Sequence, residues 1–361
     1  MQCDVLQERS CHELRRNGDR MALEHVPEEF GIKPGAEEFP LMVVLSLTYV
    51  CNAGCPHCPY TKSDIRKTYE DARFMPPEVF RKIADECGKF RSYMRISGGG
   101  EPLLHPEILD LIEYAKRVGA RIGLITNGSL MTDRTASRLL AAGTDVIEVS
   151  VDAADPDTYS KLRVGLNFKK LLKQVTNAVK IRNELRSDTK IVVSVVNQKS
   201  VQEKLEDAVR FWKAIADSVI VRKYLTWGIG DESDSADTTP YIPDRRIPCP
   251  FPFERLNVDT RGDVTFCGYD IVGETCSVFG NVMEHSIQTV WQGAKFHEWR
   301  ELLLAGKYEE IDICSKCPDW RYRSWKYNYW NVLDDAEKTK AERLITPENL
   351  RHAGIPAVGD E

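Results

Sequence analysis

No stretch of these 361 residues approaches the ~20 consecutive apolar positions of a membrane-spanning helix. The N-terminus, MQCDVLQERSCHELRRNGDR, has no apolar core of the signal-peptide kind. Excess positive charge is missing too. Forty-nine basic against 55 acidic side chains leave a net charge of −6, so charge offers no case for a nucleic-acid partner. Internal repeats and low-complexity tracts are absent. The expectation is a soluble, cytoplasmic protein that engages neither membrane nor nucleic acid. What is plentiful is apolar material: 42% hydrophobic residues can bury a substantial core, which excludes wholesale disorder.

Cysteine is the unusual entry. There are eleven, at 3, 11, 51, 55, 58, 87, 249, 267, 276, 314 and 317. An odd number without a secretion signal argues against a disulfide framework. None lies between Cys87 and Cys249, so the thiols form two groups. Grouped thiols in a reducing compartment point to metal or iron–sulfur ligation.

Residues 1–40 are polar and read as an extension. From Leu41, short apolar runs alternate with helical periods. The runs are Leu41–Leu47, Tyr93–Ser97, Arg121–Thr126, Asp145–Val151, Ile191–Val196 and Val219–Tyr224. Helices are predicted at Pro76–Phe90, Pro106–Val118, Thr132–Ala142, Leu166–Leu185 and Val201–Ala216. Prolines at the helix starts, and Gly119 and Gly143 at two ends, support these boundaries. Six strands alternating with five helices imply a parallel α/β sheet with right-handed crossovers. The count is short of a full barrel, so a partial (β/α)6 TIM-like barrel over 41–230 is expected, although periodicity alone does not separate it from a doubly wound sheet. An acidic, turn-rich linker (231–246) follows, then a small α+β unit at 247–330 and a charged tail at 331–361. That unit has strands at Arg255–Asp259 and Asp263–Cys267 and a helix at Ile287–Leu304.

Cys51-Asn-Ala-Gly-Cys55-Pro-His-Cys58 directly follows the first strand. Three thiolates on one loop can grip three corners of a cubane and leave the fourth iron open to a ligand. Zinc with His57 as fourth ligand is the competing reading, but adjacent His57 and Cys58 make poor partners in one tetrahedron. Ser97-Gly98-Gly99-Gly100-Glu101-Pro102 ends the second strand, where glycines let backbone approach a neighbour closely. Thr126-Asn127-Gly128 closes the third strand and Ser150-Val151-Asp152 the fourth, with Arg163 beyond.

This pattern resembles the radical S-adenosylmethionine (SAM) superfamily. The resemblance implies a [4Fe–4S] cluster on Cys51, Cys55 and Cys58 whose open iron chelates SAM, and reductive cleavage of SAM to a 5′-deoxyadenosyl radical. It implies cofactor contacts at Gly99, Gly100, Glu101, Pro102, Asn127 and Asp152, with Ser150 on the ribose and Arg163 on the SAM carboxylate. A flavodoxin- or ferredoxin-type electron donor goes with this chemistry.

The second group reads C-x17-C-x46-C-x2-C at Cys249, Cys267, Cys314 and Cys317. Four thiols with one close pair suit zinc or a fully ligated cubane. The C-x12-G-x4-C opening, Phe279-Gly280-Asn281-Val282 and Trp291 resemble the SPASM or shorter twitch domains of that superfamily. No cysteine follows Cys317, so the resemblance implies one auxiliary [4Fe–4S] cluster that serves as an electron relay. Cys3, Cys11 and Cys87 read as incidental, whereas Cys276 is a candidate hydrogen-atom donor. By resemblance the substrate is a sugar- or aminocyclitol-like small molecule, oxidised at a carbinol. Epimerisation by way of Cys276 and peptide modification are the alternatives, as is, from another class, a non-catalytic iron–sulfur redox protein. The 40 residues before the barrel are too few for a winged leader-peptide-binding domain. The cation- and aromatic-rich run from Arg321 to Trp330 reads as a helix packed on the second unit.

Overall fold

The computed structural model describes residues 30–61, 67–225, 245–269 and 277–322. The acidic linker run, Cys3, Cys11, Cys276, the tail and most of the Arg321–Trp330 segment lie outside the described residues.

All six predicted strands form: β1 (Met42–Leu45), β2 (Tyr93–Ile96), β3 (Arg121–Thr126), β4 (Val146–Ser150), β5 (Lys190–Asn197) and β6 (Ser218–Lys223). They pair in parallel in chain order, from β1 to β2 through to β5 with β6. β-branched runs buried on both faces drive this arrangement, as in β5, where Ile191–Val195 is entirely buried.

The crossovers carry helices α1 (Pro77–Phe90), α2 (Ile108–Arg117), α3 (Asp133–Ala141), α4 (Pro156–Leu162), α5 (Phe168–Leu185) and α6 (Leu205–Lys213). Their apolar stripes pack on the outer face of the sheet. In α1, Val79, Phe80, Ile83, Ala84 and Cys87 recur at helical spacing and are buried, which makes Cys87 a core residue. Thr132, Asp155 and Asn167 cap the N-termini of α3, α4 and α5 by accepting from the backbone three residues on. Gly119 and Gly143 take the left-handed conformation just past α2 and α3, as their positions suggested.

β7 (Arg255–Val258), β8 (Asp263–Thr265) and β9 (Val278–Asn281) extend the same sheet. The order is β6-β5-β4-β3-β2-β1-β7-β8-β9. β7 lies parallel to β1, and β8 and β9 return antiparallel, so the second unit shares hydrogen bonds with the barrel. Together the strands and helices form a partial (β/α)6 TIM-like barrel with a small α+β unit at its edge.

Two differences from the sequence reading have local causes. α4 is a seven-residue helix too short to show an amphipathic period. The predicted Ile287–Leu304 helix is broken into α7 (Ile287–Trp291) and α8 (Ala294–Leu304). Gly293 is the N-cap of α8, and a Cβ there would meet the Val290 carbonyl at 3.0 Å. A last short helix, α9, covers Asp312–Ser315. Among the described residues, no helix is long and apolar enough to cross a membrane.

Candidate iron–sulfur and SAM site

The C-terminal ends of β1 to β4 deliver the predicted groups to one place. Beyond β1 the chain runs to Cys51 alongside the glycine segment that leaves β2. Gly100 N–H donates to Thr48 O, and Glu101 N–H donates to Val50 O at 2.8 Å. A Cβ on Gly99 would lie 2.2 Å from Thr48 O, and one on Gly100 would lie 2.0 Å from Val50 O. The close neighbour that demands glycine is thus the chain's own approach to the cysteine loop. Gly99 also needs its positive φ of 77°.

Glu101 is buried and ties β2 to β3. Its Oε1 accepts from Thr126 Oγ1 at 2.6 Å and Leu103 N at 3.1 Å, and its Oε2 accepts from Asn127 N at 2.7 Å. Burial raises its pKa, and these three donors oppose the rise. Pro102 opens the short turn that Glu101 caps.

Asn127 closes a ring that the sequence reading did not foresee. Its Nδ2 donates to Asn52 Oδ1 at 2.9 Å, Asn52 Nδ2 donates to Ser129 Oγ at 2.9 Å, and Ser129 N donates back to Asn127 Oδ1 at 2.9 Å. Gln174 on α5 holds Ser129 O at 3.1 Å. Gly54 N–H donates to Val164 O at 2.9 Å from the far side. The cysteine loop is therefore pinned by the ends of β3 and α4. The available signal was Asn52 itself, a hydrogen-bonding amide inside a spacer.

Asp152 takes a left-handed φ of 53° just after β4 and is almost fully buried. Its Oδ1 accepts from Val196 N at 2.9 Å and its Oδ2 lies 2.6 Å from Arg163 Nη2. Arg163 Nη1 approaches Cys55 Sγ at 3.8 Å. Burial alone would lower the guanidinium pKa, but Asp152 and the nearby thiols raise it instead. His57 Nε2 lies 3.6 Å from Asp152 Oδ2, so this ring addresses a carboxylate. Ser150 ends β4 in register with Ser194 on β5.

The three thiols differ in exposure: Cys51 is exposed, Cys58 half-buried and Cys55 buried. Burial pushes the Cys58 thiol up to about 11, and Cys55 and Cys51 add to the rise. The loop fits a cubane through its donor set of three mutually interacting thiols.

The other cysteine group sits at the opposite end of the strands. β7 runs parallel to β1 with Arg255 opposite Met42, so Cys249 precedes β7 at the end of the strands away from the Cys51 loop. Cys267 follows β8, which returns antiparallel, and Cys314 and Cys317 lie on and just after α9. Burial raises the Cys314 thiol, and Cys267, Cys249 and Cys317 each raise it further. These four electrostatically coupled thiols supply the donor count of a fully ligated cubane.

Between the two ends, the sheet's inner face carries an ion cluster with no sequence signal. Arg222 on β6 grips both oxygens of fully buried Glu148 on β4 at 2.6 Å, and Arg95 on β2 stands 3.8 Å away. Burial would raise the Glu148 pKa, but the two guanidiniums hold it below the usual carboxylate range.

Comparison with known proteins agrees with this arrangement. The model of the Radical SAM superfamily matches residues 45–211, and that of an iron–sulfur cluster-binding SPASM domain matches 249–318. The AdoMet-dependent heme synthase of Methanosarcina barkeri is 30% identical over 124 residues, 34% of each chain. The chain thus spans about a third of that relative's length. The PqqA peptide cyclase of Xanthomonas oryzae is 23% identical over 78% of this chain and 82% of its own. The solved structure of BtrN in complex with AdoMet and 2-DOIA aligns with a TM-score of 0.53 at 18% identity, covering 78% of this chain and 93% of that one. Three thiols on the β1 loop, four at the opposite end and these two matches have one meaning: the chain belongs to the radical SAM superfamily and carries a C-terminal SPASM-type iron–sulfur domain.

Proposed function

We propose that this radical SAM enzyme oxidises a carbinol of a small, polar, sugar- or aminocyclitol-like substrate. The observation that carries this reading is the pairing of a three-thiol loop, which leaves one iron free for SAM, with a separate four-thiol group. When bound, the first cluster and SAM supply a 5′-deoxyadenosyl radical that takes a hydrogen atom from the substrate.

The chain's own residues then have distinct tasks. Cys51, Cys55 and Cys58 hold the first cluster, and the Asn52–Asn127–Ser129 ring keeps their loop in register with β3. Arg163 is the group for the SAM carboxylate, because a planar, permanently charged guanidinium suits that anion. Asp152 orients it. Ser150 faces the ribose, and Gly99, Gly100, Glu101 and Pro102 form the adjoining wall. Cys249, Cys267, Cys314 and Cys317 ligate the second cluster completely and reserve it for accepting an electron. A flavodoxin- or ferredoxin-type protein supplies the initiating electron. Oxidation of the carbinol would remove a hydrogen atom, an electron and a proton: bound SAM would supply the hydrogen acceptor, the cluster that Cys249, Cys267, Cys314 and Cys317 would hold would supply the electron acceptor, and the proton would go to solvent.

A second reading, modification of a peptide, is favoured by the match to a PqqA peptide cyclase over 78% of this chain. Epimerisation, with Cys276 returning a hydrogen atom, is the alternative on the small-molecule side. Anaerobic turnover in D2O separates the three. Carbinol oxidation gives 5′-deoxyadenosine and a small product two mass units lighter. Unchanged mass apart from solvent deuterium on carbon, lost in Cys276→Ala, means epimerisation. Turnover only with a peptide replaces the small-molecule reading, and no 5′-deoxyadenosine with both clusters loaded overturns the enzyme reading.

A further inference from the structure

Arg246 stands beside the second cysteine group in an unusual electrostatic position. Its Nη2 donates to the carbonyl of Cys314 at 2.7 Å. The guanidinium lies 4.3 Å from the ring centre of Tyr308 and 5.8 Å from that of Trp320. Tyr308 Oη donates back to Arg246 O at 3.3 Å. The Arg246 Nε is buried and makes no hydrogen bond. Among the described residues, no carboxylate lies within ion-pairing distance of it.

Other buried or half-buried arginines behave differently. Arg163 pairs with Asp152, Arg222 with Glu148, Arg182 with Asp217, and Arg255 with Glu254. Among the described residues Arg300 also has no acidic partner, but it donates to the carbonyls of Pro252 and Trp291, neither of which is a cysteine. Among the described residues, Arg246 is the arginine that joins a cysteine of the second group with no acidic partner. A half-buried charge of this kind is costly unless an anion answers it. The four thiolates of a bound cluster are that anion.

We propose that Arg246 tunes the second cluster toward accepting an electron. A cubane held by four thiolates is anionic overall, and one-electron reduction adds a further negative charge. A fixed cation nearby favours the reduced state more than the oxidised one, because attraction grows with the charge it answers. Stacking on Tyr308 and the bond to Cys314 hold the guanidinium in place, so little reorganisation is needed when the electron arrives. The role in turnover rests on the oxidation reading above, in which the second cluster takes one electron from the substrate radical as the proton leaves to solvent. Arg246 is then a positioning residue for charge and touches no reacting atom.

The test uses the full chain with Cys51→Ala, Cys55→Ala and Cys58→Ala, so that only the second cluster reports. Its midpoint potential is measured by dye-mediated titration followed by electron paramagnetic resonance, with and without Arg246→Gln and Arg246→Lys. Arg246→Gln should weaken reduction about tenfold, a shift of about 59 mV to more negative potential for one electron. Arg246→Lys should keep most of the parent potential, since it keeps the charge. An unchanged potential in Arg246→Gln at full iron and sulfide content overturns the proposal. Loss of iron from both variants also overturns it and assigns the residue to cluster assembly. No substrate enters the titration, so its outcome is independent of whether the enzyme oxidises, epimerises or modifies a peptide.

Discussion

Asp152 and Arg163 face each other at 2.6 Å, with the Cys55 sulfur 3.8 Å from the same guanidinium. Both partners are buried, so neither charge is tolerated alone. Asp152→Asn keeps an oxygen for Val196 N but leaves Arg163 unanswered. It should cost about 3–5 kcal/mol in a denaturant titration and lower the iron content of the first site. A loss within 1 kcal/mol or so, with iron retained, would show that the pair does not organise the loop.

The Asn52–Asn127 bond makes a separate forecast. Asn127→Ala leaves Asn52 Oδ1 without the donor it has at 2.9 Å, at a cost of about 1–3 kcal/mol. The effect should be local. About half of the iron is expected to leave on gel filtration under anaerobic conditions, because only the first of two equal clusters depends on this ring. Loss of all iron would instead mean that the ring supports the whole fold.

Two glycines with positive φ should differ sharply in how much alanine harms them. At Gly99 the added Cβ would sit 2.2 Å from Thr48 O, whereas at Gly119 no atom lies within 4 Å. Gly119→Ala meets only the left-handed penalty of about 1–2 kcal/mol. Gly99→Ala must also displace backbone next to Cys51 and should abolish SAM cleavage. Thermal melts and 5′-deoxyadenosine yield check the contrast.

Asp259, in the β7–β8 turn, sets a pH dependence. Burial lifts its carboxyl from 3.8 to about 6, against the pull of the Asp263 and Arg261 N–H groups. The folded chain therefore binds this proton more tightly than the unfolded one. The stabilisation is fully present below the unfolded value and is lost as pH rises through about 6. Asp259 Oδ1 accepts both N–H bonds, at 2.8 and 2.9 Å, and an amide oxygen can do the same. Asp259→Asn should thus be more stable than the parent by about 1–3 kcal/mol at pH 8, with the gain vanishing toward pH 4. Equal urea midpoints for the two proteins at pH 8 would contradict this.

The grouping of Cys51, Cys55 and Cys58 was legible from residues alone because it is local: the three share one loop, and spacing records that. The barrel was legible for a similar reason. Each apolar run such as Ile191–Val195 and each amphipathic period such as Val79–Cys87 carries its own signal. α4 and β9 escaped notice because seven and four residues are too few to establish a period.

The rest depends on contacts between distant positions, which leave no mark in either neighbourhood. Nothing near Asn52 announces Asn127, and nothing near Glu148 announces Arg222 on β6 or Arg95 on β2. The glycines after β2 were visible as glycines, yet only packing shows that the Thr48 and Val50 carbonyls claim their space. The sequence by itself determined which thiols belong together and that parallel strands would present them. Tertiary structure decided that β7 lies parallel to β1, and so that the two cysteine groups stand at opposite ends of the strands. Strand direction and pairing order arise from the global burial of the sheet, a property that no local segment contains.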